Sequence, residues 1–391
     1  MISIYIFWAL LLFILYCYVG YPLILILLVG IKKYLGKKTP QPNDFELPEI
    51  TILIAAYNEK DIVDQKVENT LSVNYPSHKI HQLWVTDGSN DGTPDLLKKY
   101  SNITLVHKDE REGKASAINH AMRYVKTPIT IFSDANTMLS ENSLLELVKP
   151  FCNPKVGCVA GEKQVCMDSH AGSSSTGEGI YWKYESFIKY LESETGSTLS
   201  AAGELFAIRT ELFKALETNT ILDDFDLSTH IAQNGHAIIY SKKAIATEKG
   251  SLNFDEEKKR KVRIAAGGFQ TLFRRYKLLN PFRNPALTFK YLSHKVLRWT
   301  IVPLAILLIP FINLFIAINS PSYLYTITLI GILLFYGLAL IGYLLKNNRV
   351  KFQVFVLPYY LIMMHIAEIQ GFMRFIMNKQ DVKWEKAQRE T

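Results

Sequence analysis

The chain has 391 residues, 49% of them apolar, and a formal net charge of +8. That is long enough for a large soluble core beside membrane elements. The basic excess flanks apolar runs and crowds residues 242–298, with no aromatic-basic platform or zinc finger. This argues for anionic membrane lipid and against nucleic acid as a partner.

The first 31 residues contain no Lys, Arg, Asp or Glu, and about 20 apolar residues suffice to cross a bilayer as a helix. No basic segment opens the run and no small-residue cleavage site closes it, so residues 1–31 read as a transmembrane helix rather than a signal peptide. Pro22 is expected to kink it. Lys32, Lys33, Lys37 and Lys38 follow, which places the next segment in the cytosol by the positive-inside rule.

Ile50 to Ala56 is a short β-branched run, read as a buried strand, with a helix from Glu59 to Leu71 after it. Strands are expected at His81–Thr86, Ile103–His107 and Pro128–Ser133. Helices are expected at Thr93–Tyr100, Lys114–Val125 and Glu141–Pro150. This alternation implies an α/β domain, mostly parallel, with helices on both faces of the sheet. Ligands of such sheets sit beyond the carboxyl ends of the strands, where this chain places Tyr57-Asn58-Glu59, Asp87 to Thr93, and Asp134-Ala135-Asn136. Gly- and Ser-rich residues 168–180 suggest a mobile loop. Residues 181–194 suggest an amphipathic helix, and Leu205–Ile208 a further strand.

Residues 276–298 read as an interfacial linker. Residues 299–318 and 320–345 are uncharged and long enough for two further spans, which return Lys346, Arg349 and Lys351 to the cytosolic side. Residues 352–377 are interrupted by His365, Glu368 and Arg374, so that they either span or lie in the interface, with a basic tail at 378–391. The chain is thus expected to be a multi-pass protein of the cell (inner) membrane with a cytosolic catalytic domain. Cys17, Cys152, Cys158 and Cys166 lack metal-ligand spacing and are expected to be free thiols.

Several clusters carry chemistry. Asp134 and Asn136 suit a hard cation such as Mg2+ or Mn2+, which takes few protein oxygens when phosphate and water complete its shell; a strand-end cap is the plainer alternative for Asp134. Asp87 and Asp91 lie in a turn where a carboxylate either accepts from a base or ribose or closes an Asx-turn. Asp223, Asp224 and Asp226 follow an apolar lead. Crowded carboxylates raise one pKa, which suits a general base, and the same acids favour a helix N-terminus. Lys114 and the run Lys258 to Arg263 offer cations for a diphosphate, the run also fitting a solvated or lipid-facing surface.

In order, Ala55-Ala56-Tyr57-Asn58-Glu59, Asp87-Gly88-Ser89-x-Asp91-Gly92-Thr93, Gly113-Lys114-x-x-Ala117-x-Asn119, Asp134-x-Asn136, Gly203-Glu204-x-Phe206-Ala207-x-Arg209 and Asp223-Asp224-x-Asp226-Leu227-Ser228 resemble glycosyltransferase family 2 over residues 48–275. The flanking helices resemble its membrane-bound branch, which includes poly-N-acetylglucosamine and hyaluronan synthases. The resemblance implies a nucleotide-diphospho-sugar transferase (GT-A) fold. It implies an inverting transfer of sugar from a UDP-sugar or other nucleotide-sugar donor to a lipid-linked or polysaccharide acceptor, in cell-surface glycan or glycolipid synthesis. Tyr57, Glu59, Asp87, Lys114 and Asp134 would bind the donor, Asp134 and Asn136 the metal, and Gly203, Glu204 and Phe206 the acceptor. Asp224, with Asp223 and Arg263, would be catalytic. Processive synthases read Gln-x-x-Arg-Trp where this chain reads Arg260-Lys261-Val262-Arg263-Ile264, and Asn136 replaces a second metal carboxylate. These departures make the addition of one or a few sugars at least as good a reading as processive synthesis. The presence of Asp87, Asp134 and Asp224 together argues against the further alternative of a catalytically impaired nucleotide-sugar-binding protein.

Overall fold

Ile50–Ala56 (β1) is buried on both faces: Ile50, Ile52 and Ile54 join one hydrophobic cluster while Leu53 joins another. Only a central strand covered on both sides needs so continuous an apolar run. A computed structural model describes residues 1–36, 46–166, 173–320, 322–346 and 352–383. β1 pairs in parallel with Ile80–Asp87 (β2) and Ile129–Asp134 (β4), and β2 with Ile103–Lys108 (β3). Met138–Leu139 (β5), Val156–Cys166 (β6), Leu205–Arg209 (β7) and Ala237–Lys249 (β8) complete an eight-stranded sheet in the order β3-β2-β1-β4-β7-β6-β8-β5. β7 is antiparallel to both neighbours. Register pairs Ala56 with Thr86 and Ala55 with Asp134, so the loops after β1, β2 and β4 leave the sheet at one edge. The GT-A-like, mostly parallel α/β fold is the one the sequence implied.

The Gly/Ser-rich segment departs from the expectation of a loop. Residues 167–172 lie outside the described residues, but Ser173 opens a helix that runs to Glu194. Small residues serve close packing here. A Cβ on Gly177 would come within 2.6 Å of the Tyr360 ring, and Ser174 Oγ donates to Ser251 O at 3.0 Å.

Among the described residues, four helices are long and apolar enough to cross a membrane: Ile2–Tyr34, Pro285–Asn319, Tyr323–Leu344 and Gln353–Ile376. That marks a membrane protein. The second begins at Pro285, before the uncharged run, so residues 285–298 are part of a long helix rather than a linker. Its polar groups find buried partners: Arg298 Nη1 donates to Glu185 at 2.5 Å, and His294 Nδ1 lies 2.8 Å from Glu192. In Gln353–Ile376, His365 lies 2.6 Å from Glu368 and 2.8 Å from the Tyr18 hydroxyl. These polar residues therefore pair inside the protein without breaking the apolar helix. Gly371 lets this helix lie against Val262 and Ala265 of the helix Phe254–Arg274. All four cysteines are free.

Candidate active site

Tyr57-Asn58-Glu59 turns out of β1 through Asn58, whose φ of 55° falls in the left-handed region that Asn tolerates. The Asn58 side chain and Asn90 exchange hydrogen bonds of 3.0 and 2.9 Å, which ties this turn to the loop after β2. Asp91 accepts from Thr93 N at 2.9 Å, Thr93 Oγ1 at 2.6 Å and Lys60 N at 3.1 Å. It is a turn-closing group. Glu59 sits at the N-terminal boundary of the helix Lys60–Leu71, its amide donating to Thr93 Oγ1 at 3.0 Å. The buried Asp87 carboxylate accepts from Glu112 N at 2.9 Å and Gly113 N at 2.7 Å. That clamp brings Arg111 to 3.7 Å above the Tyr57 ring. Gly88 is required beneath it, since φ is +69° and a Cβ would approach Arg111 Cβ at 2.6 Å.

Gly113 hands the chain to the helix Lys114–Ala121. Lys114 Nζ donates to Asp134 Oδ1 at 2.7 Å and lies 3.4 Å from Asp223 Oδ2. Burial opposes its charge, but Asp134 and Asp223 outweigh burial and raise its pKa. The Asp134 carboxyl is raised by burial against the pull of Lys114. Asp223 and Asp224 begin the helix Asp223–Gln233. The Asp224 carboxyl is pushed up to about 7, first by burial and then by the charge of Asp223. A Cβ on Gly203 would lie 3.5 Å from Asp224 Oδ2 and 3.7 Å from Lys114 Nζ, so this glycine keeps open the space beside both. From below, Arg263 donates to Ile221 O at 3.0 Å. Burial lowers its pKa, and Asp223, Asp224 and Asp134 oppose that effect. Sites remote in sequence thus converge: Lys114 and Arg263 with Asp134, Asp223 and Asp224.

Glu204 and Phe206 are placed differently from the acceptor wall expected of them. Phe206 is a core residue, stacked on Phe132 with centroids 4.6 Å apart, because alternate residues of β7 face the sheet's interior layer. Glu204 is held by Lys163 at 2.6 Å. Burial works against its ionisation, but Lys163 prevails and lowers the carboxyl to about 2. Lys163 also pairs with Glu248 and with Glu178, to which Arg260 is bonded in turn. The cationic run is therefore divided among environments: Lys259 is exposed, Arg260 and Lys261 enter this buried network, and Arg263 donates to Ile221 O, where it feels the charges of Asp223, Asp224 and Asp134. A Lys163→Met protein is expected to lose about 3–5 kcal/mol of stability, measured by denaturant unfolding, because several buried carboxylates lose their shared counter-charge.

Asn136 is half-buried beside Asp134. Among the described residues, no group of three or more His, Cys, Asp or Glu side chains is placed to hold a metal. Asp134 and Asn136 therefore fit a cation that completes its shell with phosphate oxygens and water, not one caged by protein alone. Sequence reasoning passed over Arg111, Lys163 and Lys66. For Lys66 a signal existed: a lysine on the inward stripe of Val63, Val67 and Thr70.

Comparison with known proteins bears on the family and the fold. The curated relatives include poly-beta-1,6-N-acetyl-D-glucosamine synthases of Staphylococcus aureus strain MSSA476, 27% identical over 62% of this chain and 60% of theirs, and of Staphylococcus epidermidis, 26% identical over 58% and 56%. The match thus spans about three-fifths of those relatives' length. Among solved structures, the mannosyltransferase PcManGT from Pyrobaculum calidifontis, in complex with GDP-Man and Mn2+, superposes with a TM-score of 0.69. It is 22% identical and covers 95% of this chain and 99% of its own, a likeness of fold that includes the helices outside the catalytic domain. The model of glycosyltransferase like family 2 matches residues 48–275; the chain belongs to that family and is a glycosyltransferase.

Proposed function

We propose that the chain is an inverting transferase that moves a sugar from a UDP-sugar, or another nucleotide sugar, to a lipid-linked or polysaccharide acceptor at the cytosolic face of the cell (inner) membrane. The observation that carries this reading is the convergence of Asp223 and Asp224 on the Lys114–Asp134 pair, with Gly203 keeping open the space beside Asp224 and Lys114. Burial and the charge of Asp223 push the Asp224 carboxyl up to about 7. A base and a cationic phosphate site stand together there. Tyr57, Glu59 and Asp87 form the donor wall, and Gly203 opens the acceptor side. The acceptor hydroxyl gives its proton to the Asp224 carboxylate and its oxygen bonds the anomeric carbon. The bond to the diphosphate oxygen breaks on the opposite face, and the nucleoside diphosphate leaves with that electron pair. Lys114 and Arg263 neutralise the charge that develops there. Bound Mg2+ or Mn2+, with Asp134 and Asn136 as its protein oxygens, supplies further charge stabilisation to the diphosphate. The nucleotide sugar and Mn2+ bound by PcManGT support this donor and cation class.

Lys32 and Lys33 after the first span, and Lys346 after the third, support the cytosolic placement. The staphylococcal relatives are poly-beta-1,6-N-acetyl-D-glucosamine synthases, which favours a polysaccharide acceptor and keeps processive synthesis as a second reading.

Purified protein in nanodiscs with Mn2+ or Mg2+ is offered UDP-N-acetylglucosamine, GDP-mannose and related donors, and nucleoside diphosphate release is measured. One donor is expected to dominate, and release should need metal. Binding of no nucleoside diphosphate under any of these conditions would overturn the reading. Because the base acts deprotonated, turnover at saturating substrate is expected to rise with pH through about 7 and then level. A profile flat from pH 5.5 to pH 8.5 would remove Asp224 from that role.

A further inference from the structure

Lys66 is a buried charge with no part in the chemistry above. Its amine is fully buried and donates to Ser133 Oγ at 2.8 Å, Thr137 O at 2.6 Å and, more weakly, Thr137 Oγ1 at 3.4 Å. These partners are all neutral oxygens. Burying an ammonium among neutral groups is unfavourable, and burial drives Lys66 down to about 7 against the pull of Asp134. An aliphatic side chain would fill the same core stripe without that penalty. What only a multiple donor can do is hold the turn that crosses above it. Ser133 and Thr137 bracket Asp134-Ala135-Asn136, and Thr137 Oγ1 donates to Asp134 O at 2.9 Å. Farther along the same helix, Asn69 fixes the continuation of the turn through two hydrogen bonds with Leu139, of 2.9 and 2.8 Å.

The geometry points to Lys66 as a positioning residue that ties both ends of the Asp134–Asn136 turn to the helix Lys60–Leu71 and so sets these side chains for the cation and diphosphate. This inference rests on the glycosyltransferase reading given above. Groups that share a cation with phosphate oxygens must be held within about 0.5 Å of the working geometry. Loosening the turn is therefore felt first in the metal-dependent part of nucleotide binding. The Tyr57–Asp87 wall is fixed by the separate 111–113 loop and should not respond.

The test is calorimetric titration of the full chain in detergent with UDP and with GDP, across a range of Mn2+ concentrations and without Mn2+. Wild type is compared with Lys66→Met, which fills the volume without donors, and Lys66→Gln, which keeps a donor. Lys66→Met is expected to raise the Mn2+ concentration for half-saturation about tenfold, the scale on which outer partners of metal ligands act. Lys66→Gln should raise it less, and metal-free nucleotide binding should be unchanged in both. The inference is overturned if Lys66→Met shifts half-saturation less than twofold. It is equally overturned if both variants fail to fold, or lose metal-free and metal-dependent binding in step, since the amine is then only a core group. If wild type binds neither nucleotide in the presence of Mn2+, the functional reading falls and this inference falls with it.

Discussion

An Asp224→Asn protein is expected to turn over about 10²–10⁴-fold more slowly, the contribution typical of a general base, while binding nucleotide as wild type does. It is also expected to be more stable. Asp224 is buried beside Asp223, and its carboxyl stands at about 7. In the unfolded chain it ionises at the ordinary carboxylate value, so the folded state binds this proton more tightly. The contribution of this group to stability is therefore fully present below the ordinary carboxylate range and is lost as pH rises through about 7. An amide has no proton to lose there. Above pH 7 the variant should melt higher, with each kcal/mol of relief worth about 2–4 °C in a domain of this size. Rate loss with a raised melting temperature separates a working acid from a structural one, whose removal lowers both. Differential scanning fluorimetry at pH 6 and pH 8, run beside a turnover assay, checks the pair of effects.

Replacing Asp134 by Ala is expected to abolish metal-dependent nucleotide binding, raising the Mn2+ requirement by at least about 100-fold, the upper end of what an outer partner contributes. Asp134 supplies the carboxylate of the Asp134–Asn136 pair and is the partner of Lys114 at 2.7 Å. Its loss removes a metal oxygen and frees Lys114 to turn toward Asp223, now 3.4 Å away. Binding of nucleotide without metal should persist, since Tyr57 and Asp87 are held by Arg111, Glu112 and Gly113. Calorimetric titration of UDP and GDP with and without Mn2+ reads the difference. An unchanged Mn2+ requirement would place the cation elsewhere.

The central strands were legible because Ile50–Ala56 and Ile129–Asp134 are buried on both faces and are built mostly from apolar and β-branched residues. The candidate site was legible for a related reason. Parallel strands in register deliver their following loops to one edge, so polar residues at the ends of β1, β2 and β4 had to meet. The second half of the sheet was less visible. β8 carries Ser241-Lys242-Lys243 mid-strand, and its pairing with β6 shifts register twice, which blurs the period of two. The segment 173–180 has a loop composition, yet its small residues are selected by the closeness of Tyr360 and Ser251, a contact far off in sequence. Phe206 sits inside a motif of functional type, but strand alternation turns it into the core. Lys163 escaped because its partners lie on other elements, whereas Lys66 stood on the inward stripe of Val63, Val67 and Thr70 and was legible as buried, though not what it holds.

The most direct test of the central claim is the anomeric configuration of the bond formed, read by proton NMR from the coupling of the transferred sugar's anomeric proton. If a hydroxyl deprotonated by Asp224 attacks opposite the diphosphate, the product carries the configuration inverse to that of the donor. A product that retains the donor's configuration would contradict this account, because a single attack on that face cannot produce it.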